Sequence, residues 1–271
     1  MTPEDFDRLQ TLVLGRTGQR LGRDRMKLAE HRLGPIARRY GFDDVDALLN
    51  ALWSQPVASV AWASIEALLD PETWFRRDRE SFTVFADHLL PALATARPGA
   101  KVRLWSAGCS TGQEAWSMAM AGLERGVAID VLGTDLNRLS LERAAQGDYS
   151  GFEIQRGLSA QTMIRWFQPR QDRWVAGDEL RAVVRFQRAN LMDPVDEPTR
   201  FDVIFCRHVL GGMDPQRRAM VLDLLDRSLV DDGCLFVGPD ERLDGDTVAF
   251  RPVSGRRGLY VKAHGALRRA A

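Results

Sequence analysis

Apolar residues recur at helical spacing through the first seventy positions, then give way to short apolar runs separated by helical segments. Phe6, Leu9 and Val13 keep that period behind Thr2-Pro3, a capping residue followed by a first-turn proline, and the period stops at Gly15 and Gly18. A second helix is predicted over about Arg23 to Tyr40, with Gly34-Pro35 placed to bend or split it. Val45, Leu48, Leu49 and Leu52 mark a third, and Trp62, Ile65, Leu68 and Leu69 a fourth ending at Asp70-Pro71. No run of β-formers interrupts this stretch, which predicts an all-helical N-terminal domain over residues 1–70.

From Pro71 the pattern changes. Phe82, Phe85, Leu89 and Leu93 predict one amphipathic helix closed by Arg97-Pro98-Gly99. Beyond it VRLW, IDVLG, VVRFQ, FDVIFC and CLFVG alternate with helical segments opening at Gln113, spanning Leu139 to Ala145, and spanning Gln216 to Leu229. Strands separated by helices form a parallel sheet covered on both faces. VAFRPV and GLYVKA, joined through Ser254-Gly255, predict an antiparallel end to that sheet. Between Tyr149 and Asn190, Trp166, Phe167 and Trp174 accompany a strand pair around Ala176-Gly177, predicting a small inserted β-subdomain at approximately 152–188. The expected fold is α/β: a Rossmann-like sheet domain over 71–271, carrying that insertion, behind the helical domain.

The candidate chemistry lies at the start of the sheet. In KVRLWSAGCSTGQEAWSMAMA, Lys101 to Ala121, a strand enters a turn holding Gly108 and Gly112 and leaves as a helix whose first turn carries Glu114. The next strand ends on Asp135. A glycine turn lets a ligand approach the backbone, and a carboxylate ending the following strand can accept bonds from both ribose hydroxyls. The pattern therefore predicts a nucleoside-containing cofactor. Only Cys-Ser-Thr separates Gly108 from Gly112, so the G-x-G-x-x-G fingerprint of pyrophosphate cofactors is absent. Gln113 stands where a phosphate-binding loop would need lysine. S-adenosylmethionine, with a ribose and adenine but no pyrophosphate, fits both facts.

Composition narrows the setting. Basic and acidic residues balance at 37 each, so no global charge argues for nucleic acid. Three cysteines, Cys109, Cys206 and Cys234, are far apart and match neither a zinc spacing nor a disulfide framework. No apolar run is long enough to span a membrane, and no signal peptide is evident, so a cytoplasmic location is expected, with no metal and no membrane insertion. Charge is uneven, however. Eight basic residues between Arg16 and Arg39 (Arg16, Arg20, Arg23, Arg25, Lys27, Arg32, Arg38, Arg39) face only Asp24 and Glu30. They form either a solvated helical face or a surface for an acidic partner.

These residues, taken in order, resemble the chemotaxis receptor glutamate O-methyltransferases, the CheR family. ETWFRRD resembles its linker motif, LWSAGCSTGQEAWSMAM its cofactor loop, and GTDLNRLSLERAAQGDY its second-strand motif. RANLMD, FDVIFCRHVL and LFVGPDERL resemble its later strands. The resemblance implies transfer of a methyl group from S-adenosyl-L-methionine to glutamate side chains on chemoreceptor cytoplasmic helices, with S-adenosyl-L-homocysteine as product. It implies cofactor contacts at Thr73, Arg77, Glu114, Asp135, Asn190, Leu191, Arg207 and His208, beside the Gly108 turn, and catalytic roles for Arg77 and His208. It also implies docking of the receptor helices on the Arg16 to Arg39 face. The partner set is then receptors rather than nucleic acid, and the expected state is a monomer.

The chain departs from the family pattern around one pocket. FCRHVLGGMD places His208 where the family has asparagine and Gly212 where it has tyrosine. Arg76 replaces a phenylalanine, Gln113 a glutamate, and Pro71 an asparagine. An active methyltransferase is the favoured reading. The alternative is a module that binds cofactor or product without turnover, as a sensor or scaffold.

Overall fold

The computed structural model describes residues 1–195, 198–243 and 245–263. The chain divides into two units, Met1–Asp70 with Gly212–Arg217, and Pro71–Gly211 with the chain from Arg218 onward.

In the first unit α1 (Pro3–Thr17) opens on a capping box. Thr2 Oγ accepts the Asp5 N–H while the Asp5 carboxylate accepts the Thr2 N–H, which satisfies two otherwise unpaired donors. A 3₁₀ turn at Arg23–Arg25 leads into α2 (Met26–Arg39), followed by α3 (Val45–Ser54) and α4 (Ala58–Leu68). Phe6, Leu9, Val13, Leu33, Leu48, Leu49 and Ile65 interlock as the core of the unit. The bend expected at Gly34-Pro35 is not a break, since α2 runs through it with Pro35 exposed. The short return Gly212–Arg217 is tied to the same unit: the Arg20 N–H donates to Gly212 O at 2.9 Å, and the Arg20 guanidinium pairs with Asp214 at 2.6 Å.

The predicted basic face is partly consumed inside the unit. Arg23 pairs with Asp7, Arg32 donates to Leu69 O at 2.9 Å, and Arg16 lies over Trp62. Arg25, Lys27, Arg38 and Arg39 are exposed.

The second unit begins with α5 (Arg79–Val84), a single π-helical turn at Phe85–Leu89, and α6 (Leu90–Ala96). The elements that follow are β1 (Val102–Ala107), α7 (Gln113–Glu124), β2 (Ile129–Asp135), α8 (Arg138–Gln146), β3 (Asp148–Ser150), α9 (Gly151–Gln155), α10 (Ala160–Trp166), β4 (Phe167–Arg170), β5 (Arg173–Ala176), α11 (Asp178–Arg181), β6 (Val184–Arg188), β7 (Phe201–Phe205), α12 (Pro215–Ser228), β8 (Leu229–Phe236), β9 (Phe250–Pro252) and β10 (Leu259–Lys262). Seven strands form one sheet in the order β6-β2-β1-β7-β8-β10-β9. The first five are mutually parallel, whereas β10 runs antiparallel to both β8 and β9.

β7 is buried at every position, as expected of a central strand covered on both faces. Phe82 and Phe85 close one face of the sheet by stacking edge-on or tilted against Phe205, at 5.4 and 5.2 Å between ring centres.

The insertion is a separate sheet in the order β3-β5-β4. Two details differ from the sequence reading. The β4–β5 hairpin turns at Gln171-Asp172, with Gln171 in the left-handed region, whereas Gly177 is the N-cap of α11. The expected span of 152–188 also takes in β6, which is an edge strand of the main sheet, and misses β3. Among the described residues no helix is long and apolar enough to cross a membrane.

Candidate functional site

The carboxyl ends of the parallel strands carry the polar residues. β1 runs out through Gly108 (φ +82°), Ser110 (φ +49°) and Gly112 (φ +92°) before α7 begins. Each turn glycine is enforced: a Cβ on Gly108 would lie 2.6 Å from Val209 Cγ2, and one on Gly112 would lie 2.8 Å from the Ala144 Cβ. The turn is held to β2, because the N–H groups of Gly108 and Cys109 both donate to Thr134 O. Asp135 completes the junction. Its Oδ2 accepts the Ser110 N–H at 2.7 Å and its Oδ1 accepts the Asn137 N–H at 2.8 Å. Burial raises the Asp135 pKa above the ordinary carboxylate value, against the lowering effect of those backbone bonds. A carboxylate offers about four acceptor positions, so the backbone bonds leave capacity for a ribose hydroxyl.

A second group gathers around Arg207, directly after β7. Its side chain is fully buried between Phe82 and Phe205. Nη1 donates to Glu114 Oε2 at 3.1 Å, and Nη2 donates to Arg77 O at 2.7 Å and to Asp78 Oδ2 at 2.5 Å. Glu114 in turn accepts from Ser106 Oγ at 2.7 Å. Burial pushes the Glu114 pKa up despite Arg207 and Ser106. Asp78, by contrast, is lowered: desolvation opposes ionisation, but His208 and Arg207 together outweigh it. The ionised Asp78 accepts from His208 Nε2 at 2.7 Å.

Arg77 lies beside this group. Its guanidinium stacks 4.2 Å over Trp74, Nη1 donates to Glu72 O, and burial lowers its pKa. Arg156 of the insertion covers Trp74 as well, at 3.9 Å. The Nε groups of Arg77 and Arg207 are buried without a hydrogen-bond acceptor. Buried donors without acceptors are rare and mark a place where a ligand oxygen would be stabilising.

The structure thus joins four sequence-predicted residues into one network centred on Arg207, which binds Glu114 and the Arg77 backbone carbonyl directly and reaches His208 through Asp78. Asp135 and Gly108 form a second group at the neighbouring strand ends. Asn190 and Leu191 follow β6 next to Asp135, whose backbone O accepts the Ala189 N–H at 3.0 Å. Asn190 Oδ1 caps its own turn by accepting from Met192 N–H. Thr73 is half-buried in the segment between Glu72 and Trp74. Sequence reasoning did not single out Asp78, Ser106, Ser110 or Glu241. Ser106 lies on β1, eight positions from Glu114, while the other three lie in loops and each bonds a residue at least 25 positions away.

A parallel sheet finished by antiparallel strands, a glycine turn after its first strand and a carboxylate ending its second define an S-adenosylmethionine-dependent methyltransferase. Residues 71–259 match the family model described as CheR methyltransferase, SAM binding domain. The chain is 33% identical over 251 residues to a chemotaxis protein methyltransferase of Vibrio parahaemolyticus, covering 89% of this chain and 90% of that one. It is 29% identical over 268 residues to a chemotaxis protein methyltransferase of Pseudomonas putida, covering 96% and 98%, and 29% identical over 270 residues to one of Pseudomonas aeruginosa, covering 96% and 97%. The chain belongs to the CheR methyltransferase family.

Proposed function

We propose that this chain methylates glutamate side-chain carboxylates on the cytoplasmic helices of chemoreceptors, giving glutamate methyl esters and S-adenosyl-L-homocysteine. The observation that carries the reading is the partly buried cluster of Arg77, Asp78, Glu114, Arg207 and His208, which combines fixed carboxylates with two guanidiniums whose Nε donors lack acceptors. Such a cluster suits an amino acid end: carboxylates for an ammonium, guanidiniums for a carboxylate. The other group supplies the nucleoside end, with Asp135 for the ribose, the Gly108 turn for close backbone approach and Asn190-Leu191 for the adenine edge.

When bound, S-adenosylmethionine supplies a methyl group on a positively charged sulfur. A glutamate carboxylate is already a nucleophile at neutral pH, so the protein needs no general base. Its task is to hold an anion against a cation in line and to keep water out. Arg77 and His208 are the residues assigned to that task. Arg77 is half-buried on Trp74 and brings positive charge toward an incoming carboxylate. His208 is held by Asp78, so its ring is oriented before any acceptor arrives.

The exposed Arg25, Lys27, Arg38 and Arg39 of the helical unit give an acidic receptor helix a surface of opposite charge. A cytoplasmic, monomeric enzyme is part of the same reading. Radiolabelled methyl transfer to receptor-bearing membranes tests it. Base-labile label on a receptor supports the reading. Binding of S-adenosylhomocysteine without any transfer would favour a sensor or scaffold, with Gly212 as the residue whose lost tyrosine accounts for it.

A further inference from the structure

The loop leaving β7 is fixed by a side chain that none of the preceding roles uses. Glu241 is buried in the turn after β8, and its carboxylate accepts three backbone N–H groups. Oε2 takes those of His208 at 2.8 Å and Gly238 at 2.6 Å, and Oε1 takes that of Gly211 at 2.7 Å. One side chain therefore joins the ends of two neighbouring strands. The loop it grips is unusual, because His208 holds φ +61°, a left-handed conformation that a non-glycine residue keeps only when its surroundings impose it. Both flanks of the loop are tight. A Cβ on Gly238 would lie 2.9 Å from Glu241 Oε2 and 3.1 Å from His208 Nδ1, and Val209 sits against Gly108 on the other side.

We infer that Glu241 is a positioning residue for methyl transfer: it holds residues 207–211 in the conformation that delivers Arg207 and His208 to Asp78. The inference rests on the reading of Arg207 and His208 as site residues. Without the carboxylate, three backbone donors lose their acceptor, and His208 loses the bond that keeps it left-handed. Its ring would then leave Asp78, while the strands beneath would keep their own ladder.

The test uses the full chain with ¹⁵N-labelled histidine. There are four histidines, and His208→Asn assigns the His208 signal by removing it. In the parent, the ring nitrogens should show Nε2 carrying the proton that Asp78 accepts. Glu241→Gln keeps the shape but removes the charge and one acceptor. Glu241→Asp keeps the charge but is too short to reach all three donors. Each variant should melt cooperatively, show a His208 ring resembling solvent-exposed imidazole, and lose at least about tenfold in kcat with KM for S-adenosylmethionine within about threefold.

A parental His208 signal in both variants overturns the proposal, whether or not turnover falls, since the effect would not run through that loop. Two variants that both fail to fold also overturn it, making Glu241 a residue of the fold alone. If the parent methylates no acceptor, the methyl-transfer reading fails on its own. The His208 signal still decides the role of Glu241. A changed ring signal supports loop positioning, and an unchanged signal overturns it.

Discussion

Replacing Asp135 separates two things its carboxylate does at once. It accepts the Ser110 N–H at 2.7 Å and the Asn137 N–H at 2.8 Å, one on each oxygen. Hydrogen bonds to a charged acceptor contribute about 1.5–3 kcal/mol each, so Asp135→Ala removes about 3–6 kcal/mol gross. The raised pKa of Asp135 means that burial already offsets part of this, which puts the net loss near the lower end, about 3 kcal/mol. For a chain of this size that is about 6–12 °C in melting temperature. Asp135→Asn keeps one oxygen acceptor for the turn and should cost about half as much. Toward a ribose, however, Asn loses a charge-assisted bond, which is about ten- to a hundredfold in the Kd for S-adenosylhomocysteine. Scanning calorimetry on both variants, beside titration calorimetry on the Asn variant, measures the two roles separately. An Ala variant melting within about 2 °C of the parent would refute the structural role. An Asn variant with parental affinity would refute the ribose role.

Three further outcomes follow from the same residues. Gly108→Ala places a Cβ 2.6 Å from Val209 Cγ2 on a backbone at φ +82°, so S-adenosylhomocysteine should bind at least about tenfold more weakly; calorimetry showing equal affinity would contradict the tight-turn reading. Arg207→Met leaves Glu114 and Asp78 without their buried cation and should cost about 3–5 kcal/mol in urea denaturation, and Arg207→Lys should not restore it, because an ammonium cannot reproduce the planar fork. The third outcome concerns pH. Glu114 titrates higher in the folded chain than in the unfolded one, so the folded chain binds more protons just above the ordinary glutamate range and stability falls as pH rises through that window. Glu114→Gln should flatten the stability profile just above the ordinary glutamate range, and urea midpoints with an unchanged slope there would count against the assignment.

The strands were legible because the central ones are buried on both faces and cannot avoid being apolar runs, as FDVIF shows. The Gly108 turn and Asp135 were legible for a different reason. They lie one strand apart, and close backbone approach leaves glycine in the sequence. The hairpin turn was misplaced because Gln171 takes the left-handed position with no glycine to mark it, while Gly177 drew attention as a helix cap. β3 has three residues, too few for any alternation to register. The π turn at Phe85–Leu89 changes the hydrogen bonding of a helix without disturbing its apolar face. Asp78 reaches Arg207 across 129 positions and Glu241 reaches His208 across 33, and no local period carries such pairings.

The strand order also sets which strands of the main sheet lie at its edges. Every open sheet ends in two rows of unpaired backbone groups, and such rows invite another chain to add a strand. Here the outermost strands are poor templates. β9 is three residues long and contains Pro252, which has no N–H to offer. β6 alternates Arg185, Gln187 and nearby Arg188 with its apolar positions, and Arg185 is anchored to Asp130 on the next strand. A polymerising neighbour would have to strip water from guanidiniums on one side and accept a missing donor on the other. The two outermost strands thus resist edge-to-edge pairing with another chain, although β6 runs directly beside the strand that carries Asp135.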